Sequence, residues 1–100
     1  MNKSKLTPKY KELLIQIIKK HLPNTKIYLF GSRARGTNTP GADIDISVDA
    51  GEKINIRTIS KIKYNIEETS IPFFVDVIDL NNIEKEIKEE ILKDGILWND

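Results

Sequence analysis

Three aspartates lie in segments whose pattern is typical of β-strands. Asp43 and Asp45 alternate with isoleucine through Asp43–Val48, the period of two that marks a half-buried strand. Both carboxylates then share one strand face, about 7 Å apart along the chain. Two like charges at that spacing are costly unless a cation lies between them, and ligands that are all oxygen favour Mg²⁺ or Mn²⁺. The alternative for this pair alone is a solvated strand face that bears two acids.

The third aspartate, Asp76, interrupts the apolar strand predicted over Phe73–Ile78. Strand parity places Phe74, Asp76 and Ile78 on one face. Because a buried carboxylate without a partner costs free energy, Asp76 is expected to meet a metal ion, a cation or water. Asp79 is expected instead to belong to the turn before the third helix.

A glycine and a serine follow directly on the first predicted strand, Lys26–Phe30. A glycine there lets the backbone approach a ligand closely, and the start of a helix offers N–H groups to an anion. The Ser32 hydroxyl can donate to a phosphate oxygen. By itself Gly31-Ser32 is a weak signal, because many turns from strand to helix contain this dipeptide.

The two arginines that come next, Arg33 and Arg35, are unusual in this chain. Lysine outnumbers arginine 13 to 3, yet two of the three arginines lie in one short loop. The planar guanidinium suits carboxylates and phosphates, so the pair is a candidate phosphate-binding group. Chance clustering is the alternative.

The elements that must position these residues follow the predicted order α-β-β-α-β-α. The boundary signals are Thr7-Pro8 and Pro23-Asn24 for the first helix, Asn55 for the start of the second, and Asn81 or Asn82 and then Asp94-Gly95 for the third. A candidate edge strand follows at Ile96–Trp98. This order predicts an α+β fold of two layers, in which helices flank a small mixed sheet.

Composition narrows the possible partners. The length of 100 residues suits one domain, residues 1–100, and the formal net charge is +1. No basic stripe with interleaved aromatic residues appears, so nucleic acid is not an expected partner. No apolar run approaches the roughly 20 residues of a membrane span, so a membrane is not expected either. The absence of cysteine excludes disulfides and fits the cytoplasm, the expected location.

The separate signals combine into one pattern: Gly31-Ser32, ten further residues, Asp43-Ile44-Asp45, and a third aspartate on a later strand. In this pattern the chain resembles the nucleotidyltransferase superfamily that includes DNA polymerase beta, and specifically its minimal (MNT) branch. The resemblance covers nearly the whole chain, because the segment around Asp76 and the helix end at Asp94-Gly95 also fit. It implies the nucleotidyltransferase fold.

For the three acids, the resemblance implies a role in metal binding. Asp43 and Asp45 are expected to bridge two Mg²⁺ ions that clamp the triphosphate of ATP. Asp76 is expected to ligate the ion that holds the acceptor hydroxyl, and to help deprotonate it. This is the arrangement in which metal ions stabilise both the attacking and the leaving oxygen.

The residues after the first strand are implied to bind the phosphates of ATP. Gly31 and Ser32 are expected to hold the β- and γ-phosphates, and Arg33 or Arg35 to neutralise their charge. For Arg35, a salt bridge that fixes the loop is an equal alternative. The transferred group is then AMP, and pyrophosphate leaves.

The acceptor is not encoded in any residue of the pattern. A chain of this length is expected to have no room for an acceptor-binding domain of its own. Proteins of the minimal branch resemble the antitoxin of HEPN/MNT modules, which implies transfer of AMP to a tyrosine of a HEPN ribonuclease encoded by an adjacent gene. The alternatives are a catalytically silent antitoxin that masks its partner, and nucleotidyl transfer to a small molecule or RNA. Base preference and oligomeric state stay open.

Overall fold

The computed structural model describes residues 7–99. In chain order its elements are α1 (Pro8–His21), β1 (Lys26–Phe30), α2 (Gly31–Arg35), β2 (Ile44–Asp49), α3 (Ile56–Glu67), β3 (Val75–Asp79), α4 (Lys85–Asp94) and β4 (Ile96–Leu97). The predicted order is confirmed for the six main elements. The candidate edge strand at Ile96–Trp98 is present as the two-residue β4, and the single-turn helix α2 lies between β1 and β2.

The four strands form one mixed sheet in the order β3-β2-β1-β4. Strand β1 pairs antiparallel with β2 and β4, whereas β2 and β3 run parallel. The register aligns Phe30 on β1 with Asp45 on β2, and Asp45 with Asp76 on β3. One row across the sheet therefore brings together the end of β1 and two of the three aspartates.

The core lies on the face of the sheet that α1 and α3 cover. It is formed by aliphatic side chains from both helices and from three strands: Leu14, Ile18, Ile27, Leu29, Ile44, Ile46, Val48, Ile62, Ile66 and Val77. The period of two in β2 directs its aliphatic side chains into this core and leaves Asp45 on the opposite face. The parity predicted for β2 is thus confirmed.

The helix boundaries confirm two of the predicted signals and contradict a third. Helix α1 begins at Pro8 as expected, and the Asn55 side chain caps α3 by accepting the N–H of Arg57 at 2.8 Å. Helix α4 begins at Lys85 after Glu84, so the cap predicted at Asn81 or Asn82 is wrong. The Asn81 side chain is engaged elsewhere, because its amide donates to Asp49 Oδ1 at 2.7 Å.

Asp79 both ends β3 and opens the turn in which it was predicted to lie. Its carbonyl accepts the N–H of Asn82 at 3.0 Å, and the residue is only 8% exposed. Its carboxylate accepts the backbone N–H of Ile54 at 2.7 Å and that of Asn81 at 3.0 Å. Asp79 therefore joins the start of the segment before α3 to the end of β3, which is a structural role.

None of the helices within residues 7–99 is long and apolar enough to cross a membrane.

Candidate active site

The centre of the site is the pair of carboxylates on the neighbouring strands β2 and β3. Asp45 and Asp76 are register partners, and Asp43 lies exposed just before β2. Burial raises the pKa of the Asp45 carboxyl, and the charges of Asp76 and Asp43 raise it further. Arg35 and Arg33 act in the opposite direction. The three acids that the sequence singled out are thus close enough to repel one another.

Gly31 allows the Asp45 carboxylate to lie directly against the end of β1. Its φ of 75° is in the left-handed region, which residues with a side chain rarely adopt. A Cβ at this position would overlap Oδ2 of Asp45. The glycine predicted to allow close approach to a ligand therefore first allows close approach to the central carboxylate.

Arg33 is buried, and its guanidinium is used inside the protein. The side chain is 4% exposed, and its Nε and Nη2 donate to the carbonyl of Ala42 at 3.2 and 2.9 Å. The same group lies over the ring of Phe73, 4.5 Å from the centroid. Arg33 thus fixes the loop that ends at Asp43 and the segment that leads into β3, a positioning role that the sequence did not reveal.

Arg35 is the exposed member of the arginine pair. It lies two residues further along α2 and lines a cavity of about 210 Å³ together with Phe30, Gly31 and residues of α4. Its charge is close enough to lower the pKa of Asp45. Of the two arginines, Arg35 is the one whose guanidinium faces the surface at the Gly31 end of the site.

Lys63 on α3 is a residue of the site that sequence reasoning missed. Its Nζ lies 3.9 Å from Oδ1 of Asp76, and both side chains are partly exposed, at 46% and 42%. No signal in the sequence marks this contact, because Lys63 and Asp76 are on different elements and α3 carries a second exposed lysine, Lys61. The ion pair means that one of the two central acids already has a cationic neighbour.

The donor set fits a divalent cation that is completed by a nucleotide. Within residues 7–99, no three acidic or histidine side chains close around a single point. Mg²⁺ commonly takes one or two carboxylates from a protein, with waters and substrate phosphates as its other ligands. The all-oxygen set and the raised pKa of Asp45 both indicate that positive charge stabilises this arrangement.

A small mixed sheet that sets carboxylates side by side, next to a glycine-serine turn, defines the nucleotidyltransferase class of domain. Residues 12–98 match the family described as polymerase beta, nucleotidyltransferase, and the chain belongs to this family. The resemblance drawn from the spacing of Gly31-Ser32 and Asp43-Ile44-Asp45 is confirmed.

Two relatives match most of the chain and carry related names. MJ0435 of Methanocaldococcus jannaschii is 34% identical over 86 residues, which make up 86% of this chain and 90% of the relative. MntA of Haemophilus influenzae is 26% identical over 92 residues, 90% of this chain and 81% of the relative. Both are named as candidate protein adenylyltransferases.

Solved structures of similar fold include complexes of toxins with antitoxins. The crystal structure of a toxin–antitoxin with AMP-PNP has a TM-score of 0.76 at 23% identity, covering 89% of this chain and 72% of that chain. A structure of the tri-AMPylated Shewanella oneidensis HEPN toxin in complex with MNT antitoxin has a TM-score of 0.70 at 21% identity, covering 89% and 68%. These similarities establish the fold and confirm the predicted mixed sheet flanked by helices.

Proposed function

We propose that this protein transfers AMP from ATP to a hydroxyl of a protein partner, and that it thereby acts as an antitoxin. The observation that carries the proposal is the register of Asp45 with Asp76, next to Gly31 at the end of β1. The names of the two relatives support protein adenylylation as the reaction. The tri-AMPylated HEPN toxin bound by a protein of this fold supports a HEPN-family partner from an adjacent gene.

The acids bind the metal ions in this proposal. Asp43 and Asp45 hold the Mg²⁺ ions on the nucleotide side, and Asp76 holds the ion on the acceptor side; Mn²⁺ is the expected substitute. The metal ions supply charge neutralisation on the triphosphate and on the attacking hydroxyl. Because Asp45 is destabilised as an anion in the metal-free protein, bound Mg²⁺ removes a repulsion that the fold creates.

The residues at the end of β1 bind the leaving group. Gly31 and Ser32 contact the β- and γ-phosphates, and the exposed Arg35 neutralises their charge from the far side. For Arg33 we propose a positioning role, because its side chain is 4% exposed and its Nε and Nη2 donate to the Ala42 carbonyl. It positions the loop that carries Asp43 and does not contact phosphate.

The reaction uses ATP, and we propose that it takes place in the cytoplasm. The test is incubation of the protein with ATP, Mg²⁺ and the HEPN-family protein of the adjacent gene, followed by the intact masses of both proteins. The HEPN protein is expected to gain one or more AMP units, and chelation of Mg²⁺ is expected to prevent the gain.

Two variants make this test decisive. The double change Asp43→Asn/Asp45→Asn is expected to abolish the gain in mass, and Glu52→Gln, an exposed acid in a turn, is expected to leave it unchanged. Mass gain that is equal in the double variant would place the activity outside this site. Complex formation without any mass gain would overturn adenylylation and leave the silent, masking antitoxin. Transfer only to a small molecule would overturn the protein acceptor.

A further inference from the structure

The order of the strands gives the proposed reaction a direction across the sheet. Phosphate-binding Gly31-Ser32 follows β1, Asp45 lies on β2, and Asp76 lies on β3, which is the edge strand of the described sheet. In an in-line displacement the attacking oxygen, the phosphorus and the leaving oxygen lie in a row. Since the leaving group is at the β1 end, the acceptor has to approach from the β3 edge.

A cavity of about 240 Å³ lies at this edge, between α3 and the segment that leads into β3. Asp76, Lys63 and Glu67 form its polar side, while Ile71, Phe74 and neighbouring apolar groups form its apolar side. Sites for drug-sized ligands measure roughly 300–1,000 Å³, so this cavity has room for one side chain rather than for a whole small molecule. Its size and its position next to Asp76 fit a single acceptor residue.

Phe74 gives the apolar side an exposed aromatic ring. It is 64% exposed although it precedes β3 directly and its carbonyl accepts the N–H of Ile44 at 2.9 Å, which fixes its backbone. Two residues before Asp76, it shares that residue's strand face. An exposed aromatic ring on a backbone fixed beside Asp76 offers an edge or a face to a second ring.

Lys63 gives the polar side a cation. Its Nζ is 3.9 Å from Asp76 Oδ1, too far for a hydrogen bond, and the ammonium keeps donors for another oxygen. An acceptor oxygen that lies next to Asp76 would therefore meet Lys63 as well. Negative charge that develops on this oxygen during attack is stabilised by the ammonium.

We propose that Phe74 and Lys63 make this cavity the acceptor subsite. Phe74 packs against the ring of the acceptor tyrosine that the resemblance to HEPN/MNT modules implies, and Lys63 lies at its hydroxyl. The proposal rests on the function proposed above. In the step, the tyrosine oxygen bonds to the α-phosphorus of ATP as the bond from that phosphorus to the bridging oxygen breaks. Pyrophosphate leaves with the electron pair, and the hydroxyl proton passes to water.

Matched variants of exposed residues test the subsite without disturbing the core. Phe74→Ala is compared with Ile56→Ala, a more exposed apolar residue at the start of α3. Lys63→Met is compared with Lys61→Met on the same helix, and Lys63→Arg tests rescue by a second cation. Each variant is assayed for the KM of the HEPN-family acceptor, the KM of ATP and kcat, and the modified residue is located by peptide mass spectrometry.

We expect Phe74→Ala to raise the KM for the acceptor about tenfold while the KM for ATP stays unchanged, because an aromatic contact is lost. Lys63→Met is expected to lower kcat about tenfold or more, with Lys63→Arg retaining most of it. The two control variants are expected to match the unaltered protein. The modified residue is expected to be tyrosine, and a serine or threonine would overturn the proposal.

A binding measurement separates failure of the subsite from failure of the proposed function. Isotope-labelled protein is titrated with N-acetyltyrosinamide and, in parallel, with N-acetylserinamide. We expect backbone NMR signals around Lys63 and Phe74 to shift with the tyrosine derivative only. If AMP transfer occurs but neither Phe74→Ala nor Lys63→Met differs from its control, the subsite is wrong and the function stands. If the shifts occur but no acceptor gains AMP, the function is wrong and the subsite stands as a binding site.

Discussion

The carboxylates of the site destabilise the metal-free protein, and removing one charge should therefore make it more stable. Burial and the charges of Asp76 and Asp43 raise the pKa of Asp45, so the folded state pays for keeping this group ionised. We expect Asp45→Asn to increase the free energy of unfolding in the absence of Mg²⁺. The same change should remove the stabilisation that Mg²⁺ and ATP give together.

The size of the effect follows from the spacing of the strands. Neighbouring strands lie about 4.8 Å apart, so the charges of Asp45 and Asp76 are about 5 Å apart. Two unit charges at about 5 Å repel by about 1 kcal/mol in water and about 3 kcal/mol at an effective dielectric constant of about 20. The site is partly open and Lys63 offsets part of the charge on Asp76, so we expect about 1 kcal/mol. For a domain of this size, that raises the unfolding midpoint by about 4–8 °C.

The effect of Asp45→Asn on the free energy of unfolding should depend on pH in a defined direction. Because the folded pKa of Asp45 lies above its unfolded value, the destabilisation is fully present above the folded pKa and disappears as the pH falls below the unfolded value of about 3.9. The advantage of Asp45→Asn should therefore be largest near neutral pH and vanish near pH 4 and below. With Mg²⁺ and ATP at about 100 times their Kd, the unaltered protein should gain about 2.7 kcal/mol that the variant lacks.

Thermal unfolding followed by circular dichroism, in EDTA and in Mg²⁺ with ATP, measures both effects. Glu52→Gln is the matched control, because it removes one exposed acid and changes the net charge equally. The order of stability between Asp45→Asn and the unaltered protein should reverse between the two buffers. A midpoint in EDTA that is equal or lower for Asp45→Asn, or equally raised by Glu52→Gln, would refute the repulsion argument.

Four other variants test the elements around the acids. Gly31→Ala should cost about 1–2 kcal/mol of unfolding free energy through its positive φ, and should lower AMP transfer at least about a hundredfold by displacing the central carboxylate. Arg33→Met should lower the free energy of unfolding in urea by about 3 kcal/mol, because it removes both hydrogen bonds that the buried guanidinium donates to the Ala42 carbonyl. Arg35→Met should raise the KM for ATP and change the free energy of unfolding by less than about 0.5 kcal/mol. The hydrogen bond from the Asn81 side chain lowers the pKa of Asp49. It therefore stabilises the fold at pH values above the unfolded pKa of Asp49, and this stabilisation is lost as the pH falls through the folded pKa. Asn81→Ala should therefore show a smaller decrease in the urea unfolding midpoint between pH 7 and pH 3 than the unaltered protein does.

For each of these variants, one result would contradict the structural reason given for it. An active Gly31→Ala protein would mean that the carboxylate does not need its position against β1. Equal stability losses in Arg33→Met and Arg35→Met would contradict their opposite burial. An unchanged acid dependence in Asn81→Ala would mean that the bond to Asp49 is not maintained in solution.

The strand on which each acid lies, and the face of that strand, could be predicted because they depend only on local patterns. A period of two in a short strand fixes which side chains share a face, and the predicted parity of Asp45 agrees with the structure. Parallel pairing of β2 and β3 was not predicted, and it is this pairing that sets Asp45 opposite Asp76. The sequence thus identified the strand face, and the tertiary structure determined the distance.

The errors concern polar side chains that have more than one possible partner. Asn81 was predicted to cap a helix, but Asp49, which is 32 residues away in the chain, binds its amide instead. Lys63 carried no sequence signal for the site, yet it reaches the third carboxylate from another element. Local propensity cannot choose among such partners, because the competing hydrogen bonds exist only once the sheet has formed.

Arg33 and Arg35 lie two residues apart in the sequence but have opposite burial in the structure. At about 100° per residue, helical positions two apart lie on nearly opposite sides of the helix, so Arg33 and Arg35 leave α2 in different directions. Arg33 is the buried one because Ala42 offers a carbonyl and Phe73 a ring face, and only a planar guanidinium can use both. Ala42 precedes Asp43 and Phe73 precedes β3, so one buried cation joins the segments that carry the outer two acids. In the proposed function, the buried Arg33 therefore positions the segments that carry the acids, and the exposed Arg35 is the arginine that faces the nucleotide.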